Sequence, residues 1–274
     1  MSSDLIDAVG TAHLPADPNP RIVSLVPSIT ELLFDLGLGA CVVGRTHFCV
    51  HPARELEAVV SVGGTKKISN QKLESLGATY VILNIDENTK AMAAEVATIV
   101  PNLIVTHPIE PEDNLGLYRL IGGIFGRIDQ AQNLCTRFNN ELADLRAASL
   151  NRPRRNVVYL IWKDPWMTVS RDTYVSRFLA LAGWDTVAHA DEERYPAIEI
   201  DAALLAETDL VLLSSEPYAF SDEDIRDFAA THPGAHCLLI DGELTSWYGS
   251  RAIAGLGYLK NLTTEIALAP SDVR

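Results

Sequence analysis

Cysteine is scarce in this chain: Cys41, Cys49, Cys135 and Cys237 are four of 274 residues, with no CxxC spacing among them. A reducing compartment suits the four, with one disulfide left open. Long apolar runs are absent too. No stretch approaches the ~18–20 apolar residues that cross a bilayer, and the C-terminal tail from Pro270 is polar, so no membrane insertion is expected. Basic charge is in deficit, 22 Lys and Arg against 36 Asp and Glu, for a formal charge of −14. Such a field repels nucleic acid and anionic lipid, and neither is expected as a partner. The one dense basic patch, Arg152-Pro153-Arg154-Arg155, falls between a helical pattern and a strand pattern and reads as a solvated hinge. The first residues carry Asp4 and Asp7 where an export signal carries Lys or Arg, and no apolar core follows. The expectation is a cytoplasmic protein as encoded, or a periplasmic one if an export signal has been removed.

Enzyme signatures are also missing. There is no GxxxxGK[ST], no GxSxG, no HExxH, and no strand followed by GxGxxG. The nearest likenesses, Gly255-Leu256-Gly257 and Gly122-Gly123 with Gly126, lie in helical patterns and read as close packing. The chain is expected not to be an enzyme and to carry no intrinsic cofactor.

What is present is a foldable composition, 47% hydrophobic and 21% charged, of a length comfortable for two domains. Uniformly apolar strands at 21–26, 41–44, 80–84 and 102–106 alternate with helical patterns at 68–76 and 87–100. Ser28, with Glu31 three positions on, has the spacing of a capping box for the first helix. From 112 to 150 the pattern is wholly helical, interrupted only at the glycines. Its second half carries one apolar stripe, Ala131, Leu134, Phe138, Leu142, Leu145 and Ser149. Strands at 156–161, 210–214 and 235–240 then alternate with helices at 174–182, 201–206, 222–230 and 251–267. The alternation predicts an α/β protein of two Rossmann-like lobes with mostly parallel sheets, 1–126 and 152–274, joined by a single long α-helix over 127–151.

Aromatic and paired polar residues gather in loops that follow strands, where open α/β sheets bind ligands. His47-Phe48-Cys49-Val50-His51 combines an aromatic ring, a thiol and two imidazoles. It reads either as a metal site built on Cys49 and His51 or as a packed loop touching ligand. Gly63-Gly64-Thr65-Lys66-Lys67 is a solvated turn, or a close backbone approach at which Lys66 meets an acidic ligand group. Trp162 and Trp166 share one loop, either packed on the lobe or forming a flat wall. In 241–251, Trp247 and Tyr248 are placed to stack on a ligand, and Arg251 stands against the helix dipole. An unfavourable charge there implies a partner, which is Asp241, Glu243 or an anionic group of a ligand.

These segments resemble a known family. Arg21-Ile22-Val23-Ser24-Leu25-Val26-Pro27-Ser28-Ile29-Thr30-Glu31-Leu32, Gly77-Ala78-Thr79-Tyr80-Val81-Ile82 and the helical spine are similar to cobalamin-binding proteins of ABC importers. Those belong to the helical-backbone metal receptors, which also take haem and iron siderophores. Phe48-Cys49-Val50-His51-Pro52, Val62-Gly63-Gly64-Thr65-Lys66, Glu87-Asn88-Thr89, Ser214-Ser215-Glu216-Pro217-Tyr218 and Trp247-Tyr248-Gly249-Ser250-Arg251 look like its cobalamin-binding branch. The resemblance implies a monomeric receptor holding a small-molecule metal chelate, a corrinoid, haem or ferric siderophore, between its lobes. It implies aromatic contacts from Phe48, Trp162, Trp166, Tyr195, Trp247 and Tyr248, and docking on an ABC permease through Glu87 with Glu216 or Glu223. The rival expectation is an intracellular metal-dependent enzyme or cofactor chaperone using Cys49 and His51 with Glu87.

Overall fold

The computed structural model describes residues 5–187 and 193–268. The chain divides into two compact units. The first comprises Met1–Pro108, Glu112–Arg137 and Tyr248–Arg251; the second comprises Ile109–Pro111, Phe138–Trp247 and Ala252–Arg274.

In the first unit the strands β1 (Ile22–Ser24), β2 (Val42–Thr46), β3 (Val60–Gly63), β4 (Tyr80–Asn84) and β5 (Asn102–Thr106) alternate with helices α1 (Pro27–Asp35), α2 (Ala53–Leu56), α3 (Asn70–Ser75) and α4 (Lys90–Ala97). All pairings are parallel, in the order β3-β2-β1-β4-β5. Val23, Val81, Leu83 and Val105 of the sheet pack with Leu73, Met92 and Val96 of the helices in one apolar core. Burial on both faces is what uniformly apolar strands require. Helix α5 (Asp113–Ile124) follows, and α6 (Ile128–Ser149) begins in the first unit and continues into the second. The glycine pair 122–123 does not break α5. An added Cβ on Gly122 would lie 2.5 Å from that of Ala131, so the missing side chain admits the start of α6. The break falls at Gly126, whose φ of 65° ends the helix.

The second unit is smaller in strand count. β6 (Arg155–Leu160), β7 (Trp184–Thr186), β8 (Leu210–Ser214) and β9 (Cys237–Ile240) pair in parallel in the order β7-β6-β8-β9. They are interleaved with α7 (Tyr174–Ala180), α8 (Ala202–Ala206), α9 (Asp222–Thr231) and α10 (Gly242–Ser246), and α11 (Arg251–Leu268) closes the chain. Val158, Leu160, Val211, Leu213, Phe220 and Phe228 form the core.

The capping box expected at Ser28 is not formed. α1 starts two residues earlier than that box would place it, with Val26 as an extended N-cap and Pro27 in its first turn. The ring of Pro27 presets the helical φ and lacks the N–H that would need a cap. Glu31 is drawn away to Arg251. A true capping box closes α9 instead, between Ser221 and Asp224.

Candidate functional site

In each sheet the strand order reverses beside the first strand, between β1 and β4 in one unit and between β6 and β8 in the other. The loops at the carboxyl ends of these strands are where α/β sheets bind ligands, and the sequence-predicted residues are distributed over them.

At the carboxyl edge of the first unit, the loop after β2 presents Phe48 with 53% of its surface exposed, its ring 4.1 Å from that of His47. Gly64 backs this pair. A Cβ there would sit 3.0 Å from the His47 ring, a tight contact that the glycine avoids. Lys66 donates to the Asp86 carbonyl at 3.0 Å, and Asn88 donates to Thr65 O at 2.8 Å. The loop after β4 is held by asparagine: Asn88 Oδ1 accepts from Asn84 N at 2.8 Å, and Asn84 Oδ1 accepts from Asp86 N at 2.8 Å. Thr89 caps α4, accepting from Met92 N. Glu87 is left to accept from Tyr248 Oη at 2.7 Å. Burial, followed by the charge of Glu87, raises the Tyr248 hydroxyl well above its ordinary pKa.

Cys49 is 1% exposed, with its sulfur 3.0 Å from Thr30 Oγ1 and 3.2 Å from Thr46 Oγ1. Burial pushes its thiol pKa up, which disfavours the thiolate that a metal requires. Among the described residues no group of three or more His, Cys, Asp and Glu side chains is arranged to hold a metal ion. All four cysteines are free thiols.

Residues 248–251 are built into the first unit by backbone and side chain together. Gly249 N donates to Asn114 Oδ1 at 2.6 Å, and Tyr118 Oη donates to Gly249 O at 2.8 Å. Arg251 makes a two-pronged bond to Glu31, 2.7 Å on each prong. Glu31 is therefore a partner of Arg251, one that the local sequence did not offer. Asp241 caps α10, accepting from Leu244 N at 2.9 Å.

The second unit presents Trp162 after β6, 41% exposed and edge-on to Tyr218 with ring centroids 5.6 Å apart. Tyr195 is 38% exposed. Trp166, expected beside Trp162 on a ligand wall, turns the other way: it stacks on Phe220 and meets Phe228 edge-on against the core. Both indoles belong to 162–167, a tight hairpin bridged at Trp162 and Met167. Trp247 is buried, and its indole N–H donates to Glu216 Oε1, which also accepts from Ser246 Oγ at 3.2 Å. Burial, reinforced by Glu243 and Asp241, raises the Glu216 pKa to about 7. Beneath this loop, Tyr159 Oη lies 2.9 Å from both Ser214 Oγ and Thr245 Oγ1. Glu223 is exposed in the first turn of α9.

Sequence reasoning read Glu31 only as a helix cap, quoted Asn88 and Tyr218 only within family-like segments, and passed over Asn84, Asn114 and Tyr118. The NxxxN spacing of Asn84 and Asn88 after an apolar strand carried a signal; the contacts of Glu31, Asn114 and Tyr118, distant in sequence, carried none. A cavity of about 430 Å³ in the first unit, lined by Asp7, His107, Asp113 and Arg119 among others, contains none of the predicted residues.

A vitamin B12-binding protein of Vibrio cholerae serotype O1 is 21% identical over 211 residues, 76% of each chain. An uncharacterized ABC transporter substrate-binding lipoprotein of Bacillus subtilis is 24% identical over 246 residues, 86% of this chain and 77% of that one. Among solved structures, the periplasmic vitamin B12 binding protein of Vibrio cholerae matches with a TM-score of 0.80 at 16% identity, covering 92% of this chain and 99% of that one. A periplasmic heme-binding protein of Roseiflexus sp. RS-1 matches with a TM-score of 0.73 at 21% identity, covering 90% and 98%. The structural likenesses show the fold of two parallel-sheet α/β domains. The family model for periplasmic binding proteins matches residues 22–236, which is 215 of the 274 residues, and the chain belongs to that family.

Proposed function

We propose that this chain binds a corrinoid, or a related flat metal chelate, and passes it unchanged to an ABC-type permease. The observation that carries the reading is the presence of exposed aromatic rings at the carboxyl edges of the sheets, Phe48 in one unit and Trp162 and Tyr195 in the other, in a chain of a binding-protein family. Large apolar rings left in water are costly unless a flat ligand covers them. Covering roughly 300 Å² of apolar surface at ~25 cal/mol/Å² contributes several kcal/mol before the cost of association. Relatives that bind vitamin B12 and heme support the same chemistry.

The rival reading, a metal enzyme or chaperone built on Cys49 and His51, loses support from the buried, protonated thiol and from the lack of a third donor among the described residues. For docking on a permease, Glu223 is the favoured acid. It is exposed, whereas Glu87 and Glu216 bond to Tyr248 and Trp247. No helix among the described residues is long and apolar enough to cross a membrane, so a separate permease must carry the transport step. On this reading the protein acts on the periplasmic side.

The test is titration of the purified protein with dicyanocobinamide, cyanocobalamin and hemin, read by the visible spectrum and the melting temperature. Binding of one of them, weakened about tenfold or more by Trp162→Ala, is the expected outcome. Unchanged spectra and melting with all three would remove the function.

A further inference from the structure

Glu216 is held in place more firmly than a loop carboxylate needs to be. It follows β8 at the point where the strand order reverses. Ser214 Oγ donates to its carbonyl at 2.7 Å. Gly242 stands directly over it: a Cβ at that position would lie 2.6 Å from Glu216 Cγ and 2.9 Å from its backbone nitrogen, so the carboxylate has its place only because residue 242 has no side chain. Its Oε1 takes both available donors, Trp247 Nε1 and Ser246 Oγ. Among the described residues nothing donates to Oε2, and no Lys, Arg or His forms an ion pair with the group. The charged neighbours acting on it, Asp241 and Glu243, are acids that oppose its ionisation, and burial does so more strongly.

A structural carboxylate of this depth ordinarily has a base or a full set of donors. This half-buried one has its donors on one oxygen and leaves the other open to solvent, on an edge that also displays the half-exposed indole of Trp162 against Tyr218. The peptide nitrogen of Tyr218 is 3.3 Å from Ile161 O, which ties the loop of Glu216 to that of Trp162. The missing bond is therefore next to the aromatic surface that a ligand would cover.

We propose that Glu216 determines specificity at the second unit's edge, accepting a hydrogen bond at Oε2 from a peripheral amide or amine N–H of the chelate and rejecting chelates fringed by carboxylates. An N–H supplies the donor that Oε2 lacks. A ligand carboxylate places like charge beside an acid with no base to neutralise it, and that juxtaposition is repulsive. The aromatic surface takes either kind of ring, and the glutamate separates them. The inference rests on the chelate-binding function, since it concerns the same edge.

Two corrinoids with the same ring and metal isolate the effect: dicyanocobinamide, whose periphery is amide, and dicyanocobyrinic acid, whose periphery is carboxylic acid. Equilibrium titrations at pH 8 with wild-type protein are expected to favour the amide form by about tenfold or more, the scale of a hydrogen bond to a charged group. In Glu216→Gln the new carboxamide keeps an oxygen for Trp247 and Ser246 and offers an N–H outward, so the ratio is expected to move towards one, chiefly by tighter binding of the acid. A wild-type ratio near one overturns the inference whether or not the variant folds. So does an unchanged ratio in a Glu216→Gln protein with an intact melting transition. Failure of both corrinoids and of hemin to bind is a different result: it removes the chelate-binding function itself, and this inference with it.

Discussion

Glu216 carries an electrostatic penalty that pH can expose. Its pKa in the fold is about 7 against an ordinary 4.5, so between those values the folded chain retains a proton that the unfolded chain has released. The sign follows. The group's contribution to stability is fully present below about pH 4.5 and is lost as pH rises through about 7. For a shift of this size the loss has an upper limit of about 3 kcal/mol, reduced by the part of the side chain that remains in water. Glu216→Gln is expected to be more stable than the wild type at pH 8 by about 1–3 kcal/mol and to match it near pH 4.5. Denaturant unfolding of both proteins at the two pH values checks this; equal differences at both would contradict it. Cys49 gives a second residue-scale test. Sealed under Thr30 and Thr46 with its thiol pKa raised, it is expected to react with iodoacetamide far more slowly than the half-buried Cys41, and equal rates by peptide mass mapping would refute the buried placement. At this scale the sequence was only half legible. The charge of Arg251 at a helix start announced a partner, yet nothing local could name Glu31, 220 positions away.

Among the elements, the central strands were readable because burial on both faces leaves an unbroken apolar run, as in β4 and β8. The two strands missed, β3 and β7, both lie at sheet edges. β3 reads Val60-Ser61-Val62-Gly63 with only Val62 buried, and β7 has three residues. An edge strand covered on one side leaves little hydrophobic pattern to detect. The segment 248–251 was legible as a cluster of aromatic and polar residues, but its anchoring to α1 and α5 was not. The anchoring makes a quantitative prediction. Glu31→Ala and Arg251→Ala are each expected to destabilise the protein by about 2–3 kcal/mol, since either takes the two-pronged bond from a largely buried charge. The double variant is expected to cost less than the sum, with a coupling of about 1–2 kcal/mol. Additive losses in thermal or denaturant unfolding would mean that the two-pronged bond contributes nothing net.

For the molecule as a whole, the alternation of elements disclosed two α/β units, but the units are not consecutive pieces of chain. The first is completed by Tyr248–Arg251, from close to the C-terminus. Those four residues supply the peptide N–H that Asn114 accepts, the carbonyl that takes the Tyr118 hydroxyl, and the base for Glu31. A fragment of residues 1–137 therefore loses one bond from each of three polar side chains, a loss of about 1–3 kcal/mol apiece where the group stays buried. Against a net stability of about 5–15 kcal/mol for a domain, that loss removes much of the margin. The fragment is expected to be partly unfolded, or to melt well below the full chain, with amide protons of α1 and α5 losing protection in hydrogen exchange while those of β4 lose less. Protection in α1 and α5 equal to that of the full chain would show that the first unit folds without its distant segment, and that the bonds to residues 248–251 serve the binding edge alone.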